Sequence, residues 1–266
     1  MREITLGQYY PADSVLHKLD PRVKLFGTFL FIISLFIVES IPGYLFSGLF
    51  LLAMILASKV PFSFMVRGLR AVVILIVITV VFDLFLTPGE ALVTFGIFTI
   101  TKEGVRFAIK MVVRLCFLIL GSSIMTLTTT PNELTDGLEK GLSWLKIFKV
   151  PVHEIAMMMS IALSFIPILV EETDRIMKAQ MARGADFESG NIIKKVKAMV
   201  PLLVPLFVSA FRRANDLALA MEARCYHGGD GRTKMKPLVY KRRDRIAYAL
   251  LFLFFAGIIL IRGFFG

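Results

Sequence analysis

Long runs of apolar residues, separated by short polar stretches, dominate the chain. Five of these runs are predicted transmembrane helices. Several of their uncharged stretches fall short of the roughly 20 residues that a span needs, so we expect snorkelling side chains to complete their ends. Lys24 lies at the start of the first run, where we expect its long side chain to snorkel towards the membrane surface. The runs cover residues 22–38, 41–58, 69–87, 104–128 and 246–261. This pattern predicts an all-α fold: a polytopic membrane protein with about five transmembrane helices.

The stretch 129–245 has a different pattern, with three further helices. The first begins at Thr130-Pro-Asn-Glu133, a capping box with proline at the first helical position. The other two are longer, from about Val152 and Ile192, and each has an uncharged half followed by a charged half. The uncharged halves hold 16 and 14 residues, which is marginal for a span. We therefore predict long cytoplasmic or interfacial helices here.

Basic residues are distributed unevenly along the chain. Of the 31 Lys and Arg, 26 fall in residues 1–24, 59–70 and 129–245. Cytoplasmic segments of membrane proteins carry such an excess. The asymmetry predicts a cytoplasmic N-terminus and an outer C-terminus. It also predicts a division into helices one to four (1–128), a cytoplasmic helical domain (129–245) and a last transmembrane helix (246–266).

Composition agrees with a membrane protein and narrows its chemistry. Hydrophobic residues make up 56% of the chain, charged residues 19%, and the mean hydropathy is +0.74. The net charge of +11 is attributed to cytoplasmic loops, because no nucleic-acid recognition motif accompanies it. Two cysteines and three isolated histidines form neither a disulfide framework nor a metal pattern, so we predict no cofactor. The sequence also has no G-x-x-x-x-G-K-[ST] loop, so we expect no enzyme activity.

The two long helices end with a similar motif, Ala-x-x-Ala-Arg. An arginine in the last turn stabilises the helix dipole, and glycine commonly follows a helix end, so each motif alone has a simple structural interpretation. Together they favour a paired docking device, because alanine permits close approach and arginine is a permanently charged planar donor. The candidate docking residues are Ala182, Arg183 and Gly184 at the first end, and Ala223, Arg224 and Cys225 at the second.

Several motifs in these places resemble one family, the transmembrane (T) components of energy-coupling-factor transporters, which are ABC transporters. The resemblance covers nearly the whole chain. One departure is Cys225, because the commoner family form has glycine after this Ala-Arg pair; cysteine has less freedom at positive φ. The matching motifs are Leu16-His-Lys-Leu-Asp20-Pro21-Arg22-Val-Lys24, Ser164-Phe-Ile-Pro167 with Glu171-Glu172, Gln180-Met-Ala-Arg183-Gly184, and Pro201 through Arg224.

The resemblance implies a function and a set of partners. Two cytoplasmic ABC ATPase subunits would each bind one Ala-Arg motif, at the ends of two coupling helices. A separate membrane-embedded S component would capture the vitamin or metal ion. The T component would transmit the ATP-driven motion to the S component, within the lipid bilayer of a prokaryotic cytoplasmic membrane.

A stand-alone secondary transporter is the alternative hypothesis. Ionisable residues inside membrane spans are usually functional. Asp83 lies in the third predicted span, and Arg106, Lys110 and Arg114 form a stripe along the fourth. We predict that Asp83 pairs with Arg106 or Lys110, which would make the group structural rather than a proton relay.

Overall fold

The computed structural model describes residues 9–95, 98–185, 187, 192–229, 235 and 237–265. Helices dominate the described chain, with one short antiparallel hairpin and one 3-10 helix, which confirms the predicted all-α fold. The elements are α1 (Pro21–Ile37), α2 (Ile41–Ser58), α3 (Phe62–Leu86), β1 (Ala91–Phe95), β2 (Phe98–Thr101), α4 (Lys102–Thr128), α5 (Pro131–Gly141), a 3-10 helix (Ser143–Phe148), α6 (Val152–Ala182), α7 (Ile192–Ala223) and α8 (Arg242–Phe265).

The number of apolar helices agrees with the predicted number of spans, but their identity differs in part. In the described chain α2, α4, α6 and α8 are long and apolar enough to cross a membrane. Helix α3 makes a fifth if its segments 62–70 and 72–86, bent by 57°, count as one span. Helix α1 has 17 residues, about 25 Å, which is short of the roughly 30 Å hydrocarbon core. Helix α6 qualifies by its length of 31 residues and its composition, although its uncharged run covers only residues 155–170.

The chain forms two compact units. One contains α1 to α5, the hairpin and α8, and the other contains the 3-10 helix, α6 and α7.

At the start of α5 the predicted capping box is present: Glu133 N–H donates to Thr130 Oγ1 (3.3 Å), and Thr130 N–H donates to Glu133 Oε2 (3.2 Å).

Aromatic side chains fill the core of the first unit. Phe254 of α8 is 2% exposed and stacks on Phe50 of α2 with ring centroids 4.0 Å apart. Phe31 of α1 lies beside both rings. At Gly121 of α4 a Cβ atom would come within 2.6 Å of the Phe31 ring, so the absence of a side chain allows this contact. Small residues serve the same purpose wherever helices approach closely in membranes.

A buried carboxylate joins the beginnings of α1 and α8. Asp244 is 1% exposed. It accepts hydrogen bonds from Lys241 N–H (2.7 Å) and from Asp20 N–H (2.9 Å), 224 residues away in sequence. The Asp20 carboxylate in turn caps α1 through Arg22 N–H (2.9 Å) and accepts the Arg22 guanidinium (2.9 and 2.8 Å). Arg22 also lies over the Tyr240 ring, 3.8 Å from its centroid.

Opposing effects act on the Asp20 carboxyl group. Burial disfavours its charged form, but the hydrogen bonds and positive charge of Arg22 outweigh burial and hold the pKa of Asp20 below its ordinary value. Asp20 is therefore an anion at neutral pH, and it can form the ion pair with Arg22 that the structure shows.

Lys24 does not snorkel, contrary to the prediction. It is 8% exposed, and its Nζ donates to Thr128 O (2.7 Å) and His17 O (3.3 Å). The last carbonyl groups of a helix lack partners within that helix. The Lys24 ammonium group is the hydrogen-bond partner of such a carbonyl group at the end of α4. Its side chain therefore points inward rather than towards the surface.

The predicted ion pair of Asp83 does not form. In the described chain neither Arg106 nor Lys110 bonds to its carboxylate, and Asp83 Oδ2 is buried without a hydrogen-bond partner. Gly104 of α4 lies instead against the α3 backbone, where a Cβ atom would be 2.9 Å from Asp83 O. Arg114 donates to the backbone oxygen of Val38 (3.2 Å).

Asp244→Ala should lower the free energy of unfolding by roughly 2–4 kcal/mol, because one buried and one partly buried N–H group lose their acceptor. Thermal unfolding in detergent checks this. Asp13→Ala is the matched control, because the Asp13 side chain is 79% exposed and its pair with Lys18 lies at the surface; its effect should stay below about 1 kcal/mol. Equal losses in the two variants would contradict a structural role for Asp244.

Candidate functional site

The end of α6 is closed by a Schellman motif. Gly184 N–H donates to Met181 O (2.9 Å), and Ala185 N–H donates to Gln180 O (3.0 Å). Gly184 has a φ of 89°, the left-handed conformation that such a cap requires. Arg183 is thereby fixed as the residue between the last helical position and the turn.

The end of α7 has the same cap. Cys225 N–H donates to Glu222 O (2.8 Å), and Tyr226 N–H donates to Met221 O (3.1 Å). Cys225 has a φ of 54°, so it adopts the left-handed conformation despite its side chain, at a cost of about 1–2 kcal/mol. Glycine is therefore not essential to the cap, and Arg224 occupies the position that Arg183 occupies on α6.

The six candidate docking residues are accessible. Ala182, Arg183 and Gly184 are exposed, as are their counterparts 223–225. Neither guanidinium group forms a hydrogen bond or an ion pair with another residue that the structure describes. The caps satisfy nearby backbone groups without using either guanidinium. Each side chain can therefore bind a carboxylate or carbonyl group from outside, in the bidentate geometry that arginine favours.

An ion pair joins α6 and α7 at equivalent positions. Arg213 Nη2 lies 3.0 Å from Glu172 Oε2, with side chains 40% and 27% exposed. Glu172 precedes Arg183 by 11 residues, and Arg213 precedes Arg224 by 11 residues. Both ends therefore extend about 16 Å of helix beyond the same contact. A partly exposed pair adds at most about 1 kcal/mol, so its main effect is on the register of the helices.

This pair was not identified from the sequence. A signal for it exists, because the Ala-x-x-Ala-Arg motif repeats after 41 residues and the ion pair spans the same separation. The ion pair therefore lies at equivalent offsets from the two motifs, although the paired residues themselves differ.

The uncharged half of α7 and parts of α6 expose large apolar side chains. Such surfaces in a membrane protein contact lipid or another membrane-embedded chain. They include Met158 and Ile166 of α6, and Leu203, Val204, Phe207, Val208 and Phe211 of α7, which are 40–68% exposed.

Metal-binding chemistry has no support in the described residues. Among them, no group of three or more histidine, cysteine, aspartate or glutamate side chains could hold an ion. Cys116 and Cys225 are both unpaired thiols.

Comparison with known proteins shows similarity along nearly the whole chain. Residues 12–235 match the family described as cobalt transport protein (CbiQ). A protein of Clostridium kluyveri is 55% identical over 249 residues, which is 93% of this chain and 92% of the relative. A protein of Thermosediminibacter oceani is 51% identical over 262 residues, 98% and 99% of the two chains. A protein of Bacillus subtilis is 48% identical over 245 residues, 92% of each. All three are named energy-coupling factor transporter transmembrane protein EcfT.

The two caps make opposite predictions for substitution. Gly184→Ala should destabilise the end of α6 by about 1 kcal/mol, because alanine must adopt a positive φ. Cys225→Gly should stabilise the end of α7 by up to about the same amount. Hydrogen exchange of the amides of residues 184–185 and 225–226 measures both effects locally.

Gly263→Ala provides the control for the cap substitutions. Gly263 lies inside α8, and a Cβ atom there would meet nothing within 4 Å, so alanine should slow local exchange by its helix propensity alone. If Gly184→Ala also slowed exchange, positive φ would not be the constraint at the α6 end.

Proposed function

This chain belongs to the CbiQ family of transmembrane components of energy-coupling factor transporters, and we propose that it couples two cytoplasmic ABC ATPases to a membrane-embedded S component. It is a multi-pass protein of the cell membrane. The substrates that we propose are vitamins or metal ions, which the S component would bind.

The observation that carries the proposal is the equivalence of the two helix ends. Arg183 and Arg224 have the same cap, the same exposure and the same distance to the Glu172–Arg213 contact. Two sites of one geometry suit two ATPase subunits of one fold. Each subunit would receive one helix end in a groove, with a carboxylate or carbonyl group facing the arginine.

The ion pair also suggests how motion is transmitted. ATP binding would bring the two ATPases together and draw the ends of α6 and α7 with them. Because the helices contact each other about 16 Å from those ends, a displacement of the ends would tilt the uncharged halves on the other side of the contact. The exposed apolar side chains of those halves are the surface on which the S component would be reoriented.

ATP hydrolysis itself would belong to the partner subunits. The sequence contains no Walker A loop, and the docking ends consist of alanine, arginine and cap residues. The chain would act as a non-enzymatic coupling subunit.

One observation keeps the stand-alone transporter as a second candidate. Asp83 Oδ2 is buried with no hydrogen-bond partner in the described chain, and an unsatisfied intramembrane carboxylate is typical of an ion pathway. Purified chain in proteoliposomes distinguishes the two functions. A coupling subunit should show no transport without ATPases and an S component, whereas a secondary carrier should transport alone.

Arg183→Ala with Arg224→Ala should uncouple the transporter. Truncating one partner of a buried charge pair costs roughly 2–5 kcal/mol, so each ATPase should bind at least about tenfold more weakly. Co-purification of the ATPases and ATP-dependent uptake measure this loss. Arg212→Ala is the control, because Arg212 is an exposed arginine of α7 outside the motif. Wild-type uptake in the double variant would refute docking through these residues.

The proposal also requires the charged half of α6 on the cytoplasmic side. Cysteine introduced at Lys178, which is exposed, should resist an impermeant thiol reagent in intact cells and react after permeabilisation. Cysteine at Leu92, in the loop predicted to be outside and 51% exposed, should react in intact cells. Cys116 and Cys225 are first replaced by serine. Labelling of position 178 from outside would show that α6 spans the membrane and would exclude this docking scheme.

A further inference from the structure

A cavity of about 340 Å³ lies among α1, α2, α4 and α8. Its walls are almost wholly apolar and include Phe31, Met54, Ile124 and Leu250. On α1 the lining extends from Val23 to Phe31, about 12 Å along the helix axis. The space is therefore long and apolar, and its volume falls in the range of ligand pockets.

The charged residues among those lining the cavity are Lys24 and Arg243, and both lie at one end of it. They belong to the first turns of α1 and α8, beside Thr128 at the end of α4. These three helix ends fall on the cytoplasmic side of the predicted topology. The cavity thus has a cationic mouth at the level of the inner headgroups and an apolar interior towards the bilayer centre.

Arg243 lacks an anion at this mouth. Its side chain is half-buried, and its Nε atom is buried with no hydrogen-bond partner in the described chain, which leaves a shielded donor unsatisfied. The nearby carboxylates are already engaged. Asp20 binds Arg22, Asp244 accepts two backbone N–H groups, and Glu133 accepts Thr130 N–H.

Lys24 adds a second positive charge close to Arg243. The two side chains lie within electrostatic range of each other. Lys24 Nζ uses two of its three donors on the carbonyl oxygens of His17 and Thr128. One donor is left for a ligand. The carboxylates of Glu133 and Asp20 lie within electrostatic range of Lys24, but neither forms an ion pair with it in the described chain.

We propose that this cavity binds one anionic phospholipid of the inner leaflet, with its phosphate at Arg243 and Lys24 and part of an acyl chain in the cavity. Basic pockets between transmembrane helices on the cytoplasmic side recognise anionic headgroups. Ile246 and Leu250, which line the cavity on α8, are 61% and 55% exposed, so a lipid can enter sideways. The proposal goes beyond the coupling function and does not depend on the docking arginines.

Lipid binding to the full-length chain in detergent, measured by native mass spectrometry, tests the proposal. The probes are a palmitoyl-oleoyl phosphatidylglycerol and the phosphatidylcholine with the same acyl chains. We expect one phosphatidylglycerol to bind at least about fivefold more tightly than phosphatidylcholine. Both lipids carry a phosphate, but the cationic choline group offsets its charge and would be repelled by Lys24 and Arg243. Inorganic phosphate at millimolar concentration should not displace it, since phosphate cannot fill the apolar cavity.

Variants locate the site. Arg243→Gln should remove the preference for phosphatidylglycerol, whereas Arg242→Gln should keep it, because Arg242 is exposed and does not line the cavity. Ala247→Phe retains both cations but fills the cavity, and it should weaken the binding of both lipids. This second variant keeps the proposal testable if Arg243→Gln does not fold.

Three results would overturn the proposal. Equal binding of the two lipids by the wild-type chain would remove the anionic specificity. An equal loss in Arg242→Gln and Arg243→Gln would reduce the effect to general surface charge. Displacement by inorganic phosphate would show a soluble-anion site instead of a lipid site.

Discussion

The buried carboxylate of Asp244 is the contact that closes the unit formed by α1 to α5 and α8. It binds the backbone of Asp20 and joins residues separated by 224 positions, so α8 is held beside α1 where the first helix begins. Apolar packing between helices does not supply such directionality, because lipid tails are as apolar as leucine. With the starts of the two helices fixed, Phe254 can reach Phe31 and Phe50 at a single register. Polar atoms therefore set the position, and aromatic contacts fill the space.

The backbone groups at helix ends also need hydrogen-bond partners, and at the ends of α6 and α7 this need is met differently. There the chain satisfies its own last carbonyl groups through two left-handed residues, Gly184 and Cys225. Lys24 performs that task for α4 with its side chain, and so it is unavailable at the surface. The side chains of Arg183 and Arg224 therefore do not need to bond to the last carbonyl groups of their helices. The cap geometry thus leaves two exposed guanidinium groups at matched positions, which is what docking requires.

The elements were predictable from the sequence to the extent that they depend on local pattern. The apolar runs predict the helices, and Thr130 with Glu133 predicts the start of α5. Both signals are local, because periodicity and capping act over a few residues. The contacts of Lys24 and Asp83, and the formation of the Glu172–Arg213 pair, depend on which helices become neighbours. A snorkelling lysine and a lysine bonded to the end of another helix have the same local sequence. The equal offset of motif and ion pair could have indicated the contact, but only once α6 and α7 were treated as repeats.

Charges without a partner divide into two kinds in this protein. Asp83 Oδ2 and Arg243 Nε are each shielded from water and unsatisfied in the described chain, so these two atoms raise the free energy of the isolated chain until another molecule or a proton satisfies them. Arg183 and Arg224 are exposed, so water satisfies them and a partner must displace that water to bind. Association at the helix ends can therefore be reversible within a transport cycle. A ligand at Arg243, by contrast, would satisfy a donor atom that water does not reach.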